Sequence, residues 1–234
     1  MPLVKSKPYH IQTYELLKDM ILSGEIVCGE KVNEMKISQQ LQISRSPIRE
    51  ALRILEQDAL IVSTPSGLFV NPMSSDTIRN VYECRIGLES YAARLAIRNF
   101  KKEDYDLLLQ SVEKCKEADA NNDLLGLIDL NTFFHDHIVS LTKNDFIIVQ
   151  IERIQNIVKL SRLKEIQQGV RDLSYAYNDH LEIANLLLQG DEDGVEQYMR
   201  KHLSNNIKYL LYSLQNPPLT LPAILSCYSH MYAF

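Results

Sequence analysis

Six histidines punctuate the chain, and three of them fall where chemistry can be built: His135, His180 and His202. These three lie on three separate predicted helices of the C-terminal part. Side chains from facing helices of a bundle can converge on one point, which is where bundles form metal and ligand sites. Neutral imidazole is a good ligand for Zn²⁺, Ni²⁺ and related ions. Asn131 lies four residues before His135, hence on the same helix face, and offers a neutral carbonyl oxygen. His137 points to a different face and is expected to be packed or solvated. Taken singly, each histidine reads as an ordinary core or surface residue; the trio carries the interest.

A second group is basic. In Ser44-Arg-Ser-Pro-Ile-Arg-Glu-Ala-Leu-Arg-Ile-Leu55, Ser44 is placed to cap a helix and Pro47 falls in its first turn, where the missing amide costs nothing. Ile48, Leu52 and Leu55 recur at i, i+4 and i+7 and make one buried stripe. Arg45, Ser46, Arg49 and Arg53 lie off that stripe. A helix-turn-helix needs such a second helix, offering polar side chains to the major groove of DNA. A helical hairpin with a solvated basic face gives the same pattern.

The elements that position these groups can be read from the pattern. A first helix is expected over 7–23, with Ile11, Tyr14, Leu17, Ile21 and Leu22 buried and Gly24 as its stop. The scaffold helix runs from about Asn33 to Leu41, with Gln42-Ile43 as the turn, and the recognition helix ends near Asp58. Residues 60–64 and 68–71 are two short β-type runs joined by Pro65-Ser-Gly67, which predicts a hairpin. Three helices closed by a two-stranded wing make a winged helix, with Gly67 at the wing tip. Pro72 marks the domain boundary. Beyond it no strand signal appears. Helices are expected over 76–99, 102–120, 123–141, 145–166, 173–189 and 193–214, an all-α bundle. The fold class is therefore mainly α: a winged helix-turn-helix over 1–72, a bundle over 73–214, and a tail over 215–234 with no assigned role.

Composition narrows the function classes. The chain has 234 residues, enough for one large or two small domains, and its 45% hydrophobic content is ordinary. No apolar run reaches the roughly 18 residues a membrane span needs, and Met1-Pro-Leu-Val-Lys-Ser-Lys-Pro8 has no signal core, so a cytoplasmic location is expected. Cys28, Cys84, Cys115 and Cys227 form no Cys-x-x-Cys pair, which speaks against a zinc ribbon. The net charge is −5, and residues 1–72 hold eight basic and eight acidic side chains. Any attraction to phosphates must come from a local patch.

Ile43-Ser-Arg-Ser-Pro-Ile-Arg-Glu-Ala-Leu-Arg-Ile-Leu-Glu56, followed by Gly67-Leu-Phe-Val70, resembles the winged helix of the GntR family of bacterial transcription regulators. Tyr82-Glu-Cys-Arg-Ile-Gly-Leu-Glu89 resembles the opening helix of the FCD effector domain of the FadR-like subfamily. Phe134-His135, Asp179-His180-Leu181 and Lys201-His202-Leu203 match that domain's recurrent histidines. The resemblance covers residues 9–212. It implies a homodimer on double-stranded DNA with a palindromic operator, with Arg45, Ser46 and Arg49 at bases or nearby phosphates and Gly67 at the wing tip. Some relatives have an arginine where this chain has Met35, so the operator should differ from theirs. In the metal-binding branch the position of Asn131 is usually Asp; asparagine here should weaken metal affinity and raise the importance of an anionic effector. Arg85 resembles the domain's arginine on the opening helix. Two roles are open for it: pairing with an effector carboxylate, or a salt bridge with Glu89 one turn along.

Two function classes follow. The first is a transcription regulator, expected to be a repressor, controlled by a small organic acid bound in the bundle with a divalent metal ion, Zn or Ni. The second is a metal-dependent hydrolase using His135, His180 and His202. That reading lacks a His-Glu-x-x-His pattern and a serine elbow, and it leaves the winged helix unexplained.

Overall fold

The computed structural model describes residues 7–169 and 176–216. The chain forms two compact units that part between Ser74 and Ser75.

The first unit comprises α1 (Tyr9–Leu22), β1 (Lys31–Val32), α2 (Glu34–Leu41), α3 (Arg45–Gln57), β2 (Ile61–Thr64) and β3 (Gly67–Val70). Asn33 starts α2, its side chain accepting from the amides of Met35 and Lys36. Gln42 ends it in the left-handed region, φ 53°, which lets the chain turn within three residues into α3. Ser44 stands at the N-cap of α3, but its hydroxyl makes no capping bond. The α3 stripe Ile48, Ala51, Leu52 and Leu55 is buried and packs on α1. On α1 the buried face is Thr13, Leu17, Ile21 and Leu22. Ile11 and Tyr14, expected inside, are only half-buried. Thr13 takes the interior place because its hydroxyl is satisfied by the Tyr9 carbonyl at 2.8 Å.

The sheet corrects the sequence reading. It has three antiparallel strands in the order β1-β3-β2, not two. β1 pairs Lys31 with Phe69 and Val32 with Leu68. Two residues are too few to show a period of two. Gly67 opens β3 at φ +126°, a conformation an L side chain rarely adopts, and a Cβ there would stand 3.0 Å from Lys31 Cε.

The second unit holds α4 (Ser75–Ala96), a 3₁₀ turn (Ile97–Asn99), α5 (Lys102–Ala120), α6 (Leu124–Ser140), α7 (Asp145–Gln167), α8 (Ala176–Gln189) and α9 (Glu192–Gln215). There is no strand among its described residues. The expected start of α8 at Leu173 and the tail from 217 onward lie outside the described residues. Side-chain caps explain the breaks: Asp123 accepts from Gly126 N, Asn144 from Phe146 N and Ile147 N, and Asp191 from Gly194 N. α4 packs against α6, α7 and α9, and α8 lies between α5 and α9. The core between them is apolar, built from residues such as Ala93, Leu108, Phe134, Ile183, Met199 and Leu203. Among the described residues no helix is long and apolar enough to cross a membrane.

Candidate metal centre

Into that apolar core the bundle admits three imidazoles. α6 contributes His135 between Phe134 and Ile138, α8 contributes His180 one turn before Ala184, and α9 contributes His202 beside Leu203. All three are at most 1% exposed. One nitrogen of each lies within 4.8 Å of one nitrogen of the other two. The His135 and His202 rings stack with centroids 5.5 Å apart, and His180 stands edge-on to both at 5.2 and 4.9 Å. Phe134 lies flat on His180 at 4.0 Å and fixes that ring's plane.

The electrostatics keep the cluster neutral. Burial lowers the pKa of His135 to about 4, even though Glu89 pulls the other way. Burial, then the neighbouring His202 and His135, pushes His180 well down. His202 is lowered as well, burial outweighing the favourable Asp179 carboxylate. Neutral imidazole is the metal-binding form.

Hydrogen bonding leaves the same spot unfinished. His135 Nδ1 and Nε2, His180 Nε2 and Asn206 Oδ1 are buried without a hydrogen-bond partner, as are Arg85 Nη1 and Tyr82 Oη on α4. Each orphan costs about 1–3 kcal/mol if nothing satisfies it. Several orphans around three converging imidazoles fit a bound cation with an accompanying ligand, so the donor set suits a metal such as Zn²⁺.

Carboxylates stand behind two of the rings. Asp179 Oδ2 is 3.0 Å from His202 Nδ1, and its Oδ1 accepts from Tyr198 Oη at 3.0 Å. Asp179 neighbours His180 on α8 but reaches the histidine of α9. His202 Nε2 lies 3.1 Å from Asn206 Nδ2. Glu89 is 1% exposed and accepts from Arg85 Nε at 2.7 Å and Gln155 Nε2 at 2.9 Å. Its Oε2 is 2.8 Å from His135 Nδ1, although the ring is not aligned for a hydrogen bond. Burial alone would raise the Glu89 pKa, but Arg85 and then His135 hold it at about 2. Both sequence readings of Arg85 therefore keep a foothold: the ion pair with Glu89 is formed, and one Nη remains unspent.

The remaining expected residues sit as follows. Asn131, one turn before His135, is half-buried, and no hydrogen bond of its side chain occurs among the described residues. His137 faces elsewhere, 2.9 Å from Asp104 Oδ1 and stacked on Phe133. In the first unit Arg45, Ser46, Arg49 and Arg53 are all exposed on α3, opposite its buried stripe. Arg49 Nε is held 2.9 Å from Glu34 Oε2 of α2. Gly67 stands at the β2–β3 turn.

The sequence did not signal Glu89 or Asp179 as parts of the histidine site. Glu89 showed only as a possible partner of Arg85, and Asp179 borders His180 in sequence but serves His202. Asn206 carries a weak signal, since it follows His202 by four residues on α9.

Comparison with known proteins gives the following. The sequence profile of the FCD domain matches residues 80–205, and that of bacterial regulatory proteins, gntR family, matches residues 11–70. The HTH-type transcriptional regulator YdhC of Bacillus subtilis is 27% identical over 213 residues, covering 90% of this chain and 95% of that protein. The HTH-type transcriptional repressor RspR of Escherichia coli is 27% identical over 199 residues, 85% of this chain and 87% of that one. The crystal structure of a GntR regulator from Rhodococcus sp. RHA1 superposes with a TM-score of 0.74 at 22% identity, over 87% of this chain and 98% of its own, a likeness of fold.

Proposed function

The chain belongs to the GntR family of bacterial transcription regulators and carries an FCD domain, and on that premise we propose that it is a cytoplasmic, homodimeric repressor whose operator affinity is set by a divalent metal ion and a small carboxylate in the second unit. Family and relatives are transcription regulators, not enzymes, so the hydrolase reading finds no support.

One observation carries the metal: three neutral, buried imidazoles converge, and two of them, His135 and His180, keep unpartnered nitrogens. His135, His180 and His202 would hold the ion, with Asn131 as a neutral neighbour on α6. A bound Zn²⁺ or Ni²⁺ would supply a Lewis-acidic point for a carboxylate oxygen. Arg85 Nη1 and Tyr82 Oη are the free donors for the remainder of such an acid. The dimer is supported by apolar side chains left open on two packed helices, Tyr91 of α4 (49% exposed) and Phe146 and Val149 of α7 (87% and 46%). Repression is supported by the relative RspR, itself named a repressor. Arg45, Ser46, Arg49 and Arg53, with Gly67 on the wing, are the proposed DNA contacts.

The test is metal content by mass spectrometry on tag-free protein, beside His180→Ala checked for helicity. The reading requires about one ion per chain, lost in the variant. No ion after incubation with Zn²⁺ or Ni²⁺ would sink the metal, and would leave a pocket in which the histidines bond the acid directly.

A further inference from the structure

We infer that Glu89 and Asp179 are the positioning carboxylates of the metal centre, standing behind His135 and His202 and supplying from outside the ligand shell the negative charge that neutral Asn131 does not supply within it. The inference rests on the metal reading above.

A carboxylate oxygen stands close to Nδ1 on both sides of the cluster. Asp179 Oδ2 lies 3.0 Å from His202 Nδ1, and Glu89 Oε2 lies 2.8 Å from His135 Nδ1. A carboxylate at Nδ1 keeps the proton there and turns the Nε2 lone pair inward; at His202 that lone pair accepts from Asn206 Nδ2 at 3.1 Å, a bond that a cation would have to displace. The carboxylate also makes Nε2 a stronger donor. Neither carboxylate belongs to the converging set: among the described residues, the His, Cys, Asp or Glu atoms that meet within 4.8 Å are those of the three histidines. The two pairs differ in readiness. His202 is already bonded to Asp179. The His135 ring is close to Glu89 but out of line, with both its nitrogens unpartnered. A cation at Nε2 would fix the proton on Nδ1 and turn the ring onto Glu89.

Anchorage favours this role for both groups. Glu89 is held by Arg85 and Gln155, and Asp179 by Tyr198. A carboxylate so tethered cannot swing into the shell, but it can aim a ring. The buried dication needs negative charge nearby, and position 131, one turn before His135 on α6, holds a neutral asparagine.

The experiment measures Zn²⁺ affinity of the full, tag-free chain by competition with a chromophoric chelator, for wild type, Glu89→Gln and Asp179→Asn. Metal-free unfolding temperature is recorded alongside. Each substitution should weaken Zn²⁺ by about 10–100-fold. Asp179→Asn should do so without lowering the metal-free unfolding temperature, which a merely structural role would not predict. Glu89→Gln leaves Arg85 without its buried partner and can fail to fold, so nitrogen NMR of wild-type imidazoles provides the second readout. With Zn²⁺ bound, His135 and His202 should both be Nδ1-protonated and Nε2-ligated. Affinities within twofold of wild type, or ligation of His135 through Nδ1, would overturn the inference while leaving the metal intact. A wild type that binds no Zn²⁺ would overturn both.

Discussion

Three imidazoles in an apolar core make the second unit sensitive to acid. In the unfolded chain a histidine titrates near 6.5, whereas His135 in the fold titrates near 4 and His180 and His202 are also lowered. Below about pH 6.5 the unfolded chain takes up protons that the fold refuses, so stability is full above that pH and falls as pH drops toward 4. For His135 alone the loss at pH 5 is about 2 kcal/mol. Glu89 acts in the same sense at lower pH. Its folded value of about 2 lies below the usual 4.5, so the stability it contributes is present above about 4.5 and is lost as pH falls further. Urea unfolding of metal-free protein should therefore give a clearly lower stability at pH 5 than at pH 7, and His180→Leu should flatten that slope. Burial raises Asp136 to about 6, which works the other way between these pH values, so a slope that His180→Leu leaves unchanged is the result that would mean His180 is not held neutral. Much of this was readable beforehand, because His135, His180 and His202 sit on separate helices with apolar neighbours at helical spacing. Glu89 and Asp179 were not, since the contacts that define them cross from one helix to another, and no spacing within one helix encodes that.

At the scale of the element, α3 divides its labour by face. Ile48, Ala51, Leu52 and Leu55 fix its packing on α1, leaving Arg45, Ser46, Arg49 and Arg53 in solvent. Arg49 differs from the other two arginines in being tied to Glu34 on the scaffold helix. An exposed pair of this kind stabilises the fold by less than about 1 kcal/mol, so it can yield to a base at little cost. A bidentate guanine contact contributes roughly 1–3 kcal/mol of discrimination. Arg49→Ala should thus cost about 10-fold or more on the specific operator and far less on random DNA. Lys36→Ala on α2 should cost little on either. Fluorescence anisotropy on both DNAs decides it, and equal losses on the two would remove Arg49 from base reading. The amphipathic period made α3 legible in the sequence, and the Asn, Asp and Gly positions marked the breaks between the later helices. β1 was hidden because its place in the sheet is set by β3, 36 residues further on, through Lys31–Phe69 and Val32–Leu68. The interior place of Thr13 was equally hidden, since a threonine reads as polar until its hydroxyl finds the Tyr9 carbonyl.

For the whole molecule, charge sets the terms of regulation. With a net charge of −5, and with basic and acidic side chains balanced over residues 1–72, the protein has little general attraction for DNA. In the proposed dimer, operator affinity would then come from a few local contacts made twice, by both winged helices on one palindrome. Two weak sites joined in one molecule bind together about 10²–10⁴-fold more tightly than either alone, and only while both can reach their half-sites. A ligand in the FCD domain need not touch the DNA contacts to act; it need only favour states in which joint engagement is lost. Such coupling typically changes affinity by about 5–150-fold, and it must be reciprocal. If a chelating carboxylate weakens operator binding of the metal-loaded protein tenfold, saturating operator must weaken carboxylate binding tenfold. Calorimetry of the carboxylate with and without operator, beside anisotropy of the operator with and without carboxylate, gives the two factors independently. Equal factors, both abolished by Arg85→Met in a protein that keeps its metal, would tie the signal to the pocket beside the three histidines. Unequal factors would mean that the two titrations did not follow the same protein species, as when the acid strips the metal from the protein.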